Sequence, residues 1–159
     1  MNDRASILIV DDEEVVRLSH LRSLVSTNCN AQIAGGGTEA LRVMEQHSFD
    51  VILLDLRMPD LDGMDVLKII KERWPESEVV VITGYPSIES AKEALRLGAN
   101  NYLVKPVGPD DVIKAANDAM IQKRWALHSD RQNRDAANLV TPQPRNHQGP
   151  HRTRSGVKL

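Results

Sequence analysis

An α/β fold is what this 159-residue sequence predicts: five βα units, giving a doubly wound, flavodoxin-like five-stranded parallel sheet with helices on both faces. Three observations carry that reading. Short β-rich runs alternate with stretches of helical spacing, the pattern of βαβ units. The short runs are apolar at nearly every position, as strands covered on both faces must be. Punctuating residues fall where helices should stop or start: Gly98 after Leu97, Trp74-Pro75, and Pro109 at a first helical position.

The elements follow in order. A strand over Ile7–Val10 leads into a helix over Glu14–Thr27. The second unit is Ala31–Ala34 and Thr38–His47, joined by Gly35-Gly36-Gly37, a loop and helix start read as needing flexible backbone. The third is Val51–Leu54 and Met64–Arg73, the fourth Val79–Ile82 and Ile88–Leu97. The fifth is Tyr102–Val104 and Pro109–His128. In that last helix Val112, Ile113, Ala116, Ala119 and Met120 form the apolar face, and a continuation through Lys123-Arg124-Trp125 sets Trp125 beyond the compact domain.

Charge divides the chain into two regions. Residues 1–128 carry a net −6 and residues 129–159 a net +4. The second region holds three prolines and few apolar side chains, too little to offset the entropy of ordering. The expected organisation is one domain over 5–128 and a basic, disordered tail over 129–159. Aromatic residues number only five, so the core is aliphatic. The single cysteine, Cys29, rules out an intrachain disulfide framework or a cysteine-based zinc site and reads as a small, half-buried apolar residue. No stretch resembles a signal peptide or a membrane span, so a cytoplasmic protein is expected.

Open α/β sheets bind ligands outside the carboxyl ends of their strands. The first strand ends in Asp11-Asp12, the third in Asp55, the fourth in Thr83 and the fifth in Lys105. Three carboxylates on one rim repel unless a cation joins them. An all-oxygen set suits Mg²⁺, with Mn²⁺ as its substitute. A carboxylate beside such an ion can attack phosphorus and form an aspartyl phosphate, while a lysine and a hydroxyl serve the phosphoryl oxygens. Taken singly, the same residues have plainer explanations: Asp11 and Asp12 as helix caps, Thr83 as a strand-end residue, Lys105 as a solvated lysine, Tyr102 as core. Asp60 and Asp62 stay with the plain reading of loop and helix cap, with Gly63 in a turn.

Four segments together resemble the receiver family of two-component response regulators. They are Ile9-Val10-Asp11-Asp12-Glu13, the run from Asp55 to Gly63, Val81-Ile82-Thr83-Gly84 and Val104-Lys105-Pro106, and the likeness covers roughly residues 5–125. The resemblance implies a Mg²⁺-dependent phosphorylation switch rather than an ordinary enzyme. Asp55 would accept the phosphoryl group from a sensor histidine kinase or phosphotransfer protein. Asp12, Asp55 and the backbone carbonyl of Arg57 would bind the metal, with Asp11 helping through water. Lys105 would pair with the phosphoryl group, Thr83 would turn in to bond it, and Tyr102 would follow. A cis bond between Lys105 and Pro106 is expected, as is intrinsic phosphorylation from small donors and intrinsic dephosphorylation.

The resemblance also sets three finer expectations. Arg57 and Tyr85 lie two residues past Asp55 and Thr83; their side chains should cover the mouth of the site and slow attack by water. Val16, His20 and Leu24 take the core face of the first helix, with His20 read as partly exposed, and Leu18, Leu21 and Val25 form a surplus apolar stripe. Helix 4, strand 5 and helix 5 are the family's output and homodimer face, to which Ile88, Lys92, Leu95 and Arg96 would contribute.

Three rival readings fall short. Gly35-Gly36-Gly37-Thr38-Glu39-Ala40 fits a dinucleotide fingerprint with Asp55 as its acidic residue, but that leaves Asp11, Asp12, Thr83 and Lys105 unexplained. An aspartyl-nucleophile phosphatase needs a second Asp where Arg57 stands. Residues after His128 are too few for a helix-turn-helix, so direct DNA binding is not expected. The working alternatives are a stand-alone switch acting on an unknown effector, the receiver portion of a longer transcriptional regulator, or a relay intermediate.

Overall fold

The computed structural model describes residues 4–140. Its elements are β1 (Ala5–Val10), α1 (Glu14–Val25), β2 (Cys29–Ala34), α2 (Gly37–Gln46), β3 (Val51–Leu54), α3 (Gly63–Arg73), β4 (Glu78–Thr83), α4 (Ile88–Arg96), β5 (Asn101–Val104) and α5 (Pro109–Val140). The strands form one parallel sheet in the order β2-β1-β3-β4-β5. Each expected strand and helix is present, with half of the ends shifted by one or two residues and the end of α5 by twelve.

Alternation along the strands builds two cores. Leu8, Val10, Ile52, Leu54, Val79 and Val81 face α2, α3 and α4, where Ala40, Met44, Val66, Leu67, Ile70 and Ala94 meet them. Their neighbours Ile7, Ile9, Val51, Leu53, Val80 and Ile82 face α1 and α5, against Leu24, Val112, Ala115, Ala116 and Ala119. Side chains of successive strand residues point to opposite faces, so an all-apolar strand feeds both layers. The chain order reverses at β1, opening a crevice at the carboxyl ends of β1 and β3.

The punctuation works as read, with one change of reason. Gly98 has φ 101°, and the amides of Gly98 and Ala99 donate to the carbonyls of Leu95 and Ala94, the two bonds of a Schellman end. Pro109 is the first residue of α5. The Gly35-Gly36-Gly37 turn needs room rather than flexible backbone, since neither Gly36 nor Gly37 has positive φ. A Cβ on Gly36 would lie 2.8 Å from the Asp60 carboxylate, and one on Gly37 would lie 2.6 Å from Val66 Cγ2.

Two expectations are corrected. His20 is buried, at 5% exposure, not partly exposed, because it occupies the same sheet-facing side of α1 as Leu24. Residues 129–140 are helical rather than a disordered tail: α5 runs on to Val140. That stretch contains neither proline nor glycine, and two Ala, two Arg, one Gln and one Leu supply good helix formers; Pro142 is the first breaker. The remainder of the predicted tail, 141–159, lies outside the described residues. In the surplus stripe on α1, Leu21 packs against the core while Leu18 and Val25 stay exposed. Among the described residues no helix is long and apolar enough to cross a membrane.

Candidate phosphorylation and metal site

The site lies where the sheet delivers four strand ends to one rim. Asp11 follows β1, and its backbone amide donates to the Ala34 carbonyl at 3.2 Å. Asp55 follows β3, with its amide held by Val10 at 2.9 Å. Thr83 ends β4 and is fully buried. Lys105 follows β5, its amide held by the Thr83 carbonyl at 2.8 Å, and the Lys105–Pro106 bond is cis.

Three carboxylates meet there. Asp11, Asp12 and Asp55 each offer an oxygen, and these atoms lie within 4.8 Å of one another. Asp11 and Asp55 are buried while Asp12 is exposed. The Lys105 ammonium sits 2.7 Å from Asp11 Oδ2 and 3.6 Å from Asp55 Oδ2. Burial, with the charge of Asp11, pushes the Asp55 carboxyl up to about 6, against the opposing pull of Lys105 and the Arg57 amide. Burial works against the Lys105 charge, but its bond to Asp11 and the charges of Asp11 and Asp55 hold it above the usual lysine value. One ammonium among three carboxylates leaves the cluster short of positive charge. An all-oxygen donor set with surplus negative charge fits a hard divalent cation.

The surroundings hold these groups in place. Asp11 Oδ1 accepts the Glu13 amide at 2.9 Å, and the Arg17 guanidinium donates to the Asp11 carbonyl at 2.8 Å. Thr83 Oγ1 accepts the Tyr85 amide at 3.1 Å, which leaves its own O–H free to be given. A crevice of about 500 Å³ opens over Asp55, lined by Asp12, Arg57, Met58, Tyr85 and Lys105. At its mouth the Arg57 guanidinium lies 4.1 Å from the centre of the Tyr85 ring. Tyr102, packed against the core, bonds Ser90 Oγ at 2.6 Å through its hydroxyl. The fold thus gathers Asp11, Asp12, Asp55, Thr83, Lys105, Arg57 and Tyr85 at one crevice and sets Tyr102 to one side, against α4.

Residues 7–117 match the family described as the response regulator receiver domain. The chain belongs to that family. This receiver is 36% identical over 127 residues to the regulatory protein LuxO of Vibrio cholerae, covering 80% of this chain and 28% of that protein. It is 38% identical over 112 residues to the transcriptional regulatory protein ZraR of Escherichia coli, covering 70% and 25%. The receiver therefore spans about a quarter of the length of these curated relatives. A receiver domain protein from Clostridium thermocellum superposes with a TM-score of 0.72 at 35% identity, over 77% of this chain and 98% of that one. A CheY-like receiver from Methanospirillum hungatei gives 0.75 at 28%, over 78% and 99%. Membership makes the chain a phosphorylation-activated switch of two-component signalling.

Sequence reading missed several supports. Asp60 does not sit idle in its loop: its carboxylate accepts the Gly37 and Thr38 amides at 3.2 and 2.9 Å and caps α2 from another element. The Thr38 amide bond chiefly holds its carboxyl down at about 2. Asp62, by contrast, is the helix cap it was read as, accepting the Met64 amide at 2.8 Å. Gly63 presses on the peptide of Asp55, where a Cβ would come within 2.3 Å of the Asp55 carbonyl oxygen. The glycine after Asp62 was the visible signal, but a turn explained it equally well.

Proposed function

We propose that this receiver takes a phosphoryl group on an Asp55 carboxylate oxygen, in a reaction dependent on Mg²⁺ or Mn²⁺. The donor is the phosphohistidine of a sensor kinase or a phosphotransfer protein. A bond forms from Asp55 oxygen to phosphorus while the phosphorus–nitrogen bond to the donor imidazole breaks. Asp12, Asp55 and the Arg57 carbonyl would hold the metal directly and Asp11 through water; the ion supplies charge neutralisation for the transferring group. The observation that carries the reading is a buried carboxylate, Asp55, facing a crevice with two acidic neighbours and one lysine 3.6 Å away.

The new charge is about −2. It draws Lys105 from Asp11 and the Thr83 hydroxyl from the Tyr85 amide. The loop from Gly84 then loses an anchor, and that loop leads to the N-terminus of α4. There Ser87 and Ser90 form a reciprocal cap, and Ser90 also holds Tyr102. This run of bonds is the route by which Thr83 reaches Tyr102 and the face made by α4, β5 and α5. Ile88 and Leu95 stand exposed on that face, ready for an effector or a second copy. The switch is not an enzyme in the ordinary sense, although it accelerates its own phosphorylation from small donors and its own hydrolysis. We place it in the cytoplasm, as the output half of a kinase–receiver pair. The names of LuxO and ZraR favour the receiver portion of a longer regulator over a relay intermediate. We assign the receiver itself no DNA contact.

Intact-protein mass spectrometry after incubation with acetyl phosphate tests this. The parent should gain one phosphoryl mass with Mg²⁺ and none without it, and Asp55→Asn should gain none. Equal gain by Asp55→Asn would end the proposal.

A further inference from the structure

Helix α5 has two parts. Its first half lies on the sheet through Val112, Ala115, Ala116 and Ala119. At its middle two contacts tie it to the amino end of the sheet: Lys123 Nζ meets Asp50 Oδ1 at 2.7 Å, and Gln122 accepts from Asn100 at 2.6 Å. From Arg124 to Leu139 every residue is exposed. A helical segment of that length whose side chains are all exposed is marginal in water.

Of the large apolar residues exposed beyond Met120, Ile121, Trp125 and Leu139 share one face of the helix and Leu127 lies off it. At ~100° per residue, Ile121, Trp125, His128, Gln132, Ala136 and Leu139 fall within about 80° of one another. This stripe is on the side of α5 away from the sheet. Ile121, Trp125 and Leu139 in it are 53%, 72% and 87% exposed. The stripe is close to a palindrome about position 130: Ile121 mirrors Leu139, the large Trp125 mirrors the small Ala136, and His128 mirrors Gln132. Arg124 and Asp135 lie on the same flank and mirror each other, and neither forms a salt bridge among the described residues.

We propose that the exposed half of α5 is an interface between two copies of this chain, packed as an antiparallel helix pair. Trp125 then fills the space over the partner's Ala136, Ile121 meets the partner's Leu139, and Arg124 faces the partner's Asp135, each contact made twice by symmetry. Charge complementarity selects this arrangement. A parallel pair sets Trp125 on Trp125 and keeps Arg124 and Asp135 about three turns apart. Ile121 and Arg124 also border a groove of about 410 Å³ lined by Leu24, Cys29 and Met120, open beside the position where the partner's Leu139 arrives. This surface is separate from the α4–β5–α5 face and does not depend on the phosphoryl chemistry.

Sedimentation equilibrium on the full chain, from about 1 to about 200 µM, reads the association directly. The chain should dimerise in that range, and Trp125→Ala should weaken the dimer about tenfold or more. Arg124→Asp and Asp135→Arg should each weaken it, and the double exchange should restore it. In a Cys29→Ser background, Ile121→Cys should form a disulfide with Leu139→Cys when the two variants are mixed. All these positions are exposed; Arg124 also acts on Asp50 electrostatically, so thermal unfolding of Arg124→Asp checks that its domain stays folded. A monomer at every concentration would overturn the proposal, as would dominant disulfides between two Ile121→Cys chains or a double exchange that stays as weak as the single ones.

Discussion

The Lys105 ammonium is committed to Asp11, at 2.7 Å, in preference to Asp55, at 3.6 Å. That contact neutralises the carboxylate beside Asp55, while burial, with the charge of Asp11, keeps the Asp55 carboxyl raised against the pull of Lys105. Lys105 is poised to change partners when charge appears on Asp55.

Removing that cation separates its two effects. Lys105→Met should bind Mg²⁺ more tightly than the parent, since three carboxylates then face the ion without a competing ammonium. The same variant should accept phosphoryl groups from acetyl phosphate more slowly, by roughly a hundredfold, for want of positive charge at the phosphoryl oxygens. Calorimetric Mg²⁺ titration and a phosphorylation time course check the pair; weaker Mg²⁺ binding would count against the assigned charge balance.

Asp55 also sets a pH dependence. Its carboxyl titrates at about 6 in the folded chain, above the ~3.9 of an unfolded aspartate. Between those values the folded state binds the extra proton, so the group favours folding at low pH, and that benefit is lost as pH rises through 6. Without metal, Asp55→Asn should therefore stabilise the fold at pH 7.5, by on the order of 2–3 kcal/mol, seen as a higher thermal midpoint, and leave it nearly unchanged at pH 4. Mg²⁺ needs the ionised form, so its affinity should fall as pH drops below 6. Thermal unfolding at the two pH values, with and without Mg²⁺, reads both effects.

Arg57 and Tyr85 stack at the mouth of the crevice, 4.1 Å from guanidinium carbon to ring centre. Held together they would obstruct the line along which water reaches a phosphoryl group on Asp55. Replacing both with alanine should shorten the phosphorylated lifetime several-fold, and either single change should recover most of that effect, because each side chain steadies the other. Phosphate release timed after removal of the donor decides it. An unchanged lifetime in the double variant would remove the pair from the mechanism.

Gly63 is the most tightly enclosed of the described glycines. A Cβ there would lie 2.3 Å from the Asp55 carbonyl oxygen and 2.4 Å from Leu56 Cα, both backbone atoms that cannot swing aside. Gly63→Ala should cost 3 kcal/mol or more (roughly, as for severe overpacking) and displace the acceptor. Chemical denaturation measures the cost, and a near-neutral result would mean that the β3–α3 loop yields more easily than its contacts suggest.

Much of this was legible beforehand because strand ends are topologically constrained. Once the five apolar runs are strands of one parallel sheet, Asp11, Asp55, Thr83 and Lys105 must share a rim, whatever the loops do. Arg57 and Tyr85 were legible for the same reason, each lying two residues past a strand end. What escaped depended on contacts between loops distant in sequence. Asp60 caps α2 across 22 and 23 positions, and nothing local distinguishes it from a loop carboxylate. The burial of His20 escaped because its polarity argued against the core face that its spacing indicated. The length of α5 was misjudged at Ser129, where a change in composition was taken for the end of order although no helix breaker stands before Pro142.

The central claim is that Asp55 is the phosphoryl acceptor, and site mapping tests it most directly. After phosphorylation with acetyl phosphate and Mg²⁺, borohydride reduction converts an aspartyl phosphate to homoserine. Tryptic mapping should then place homoserine at position 55, in the peptide running from Val43 to Arg57. Homoserine at Asp11 or Asp12, or a phosphoryl group retained on another residue such as His20, would contradict the account.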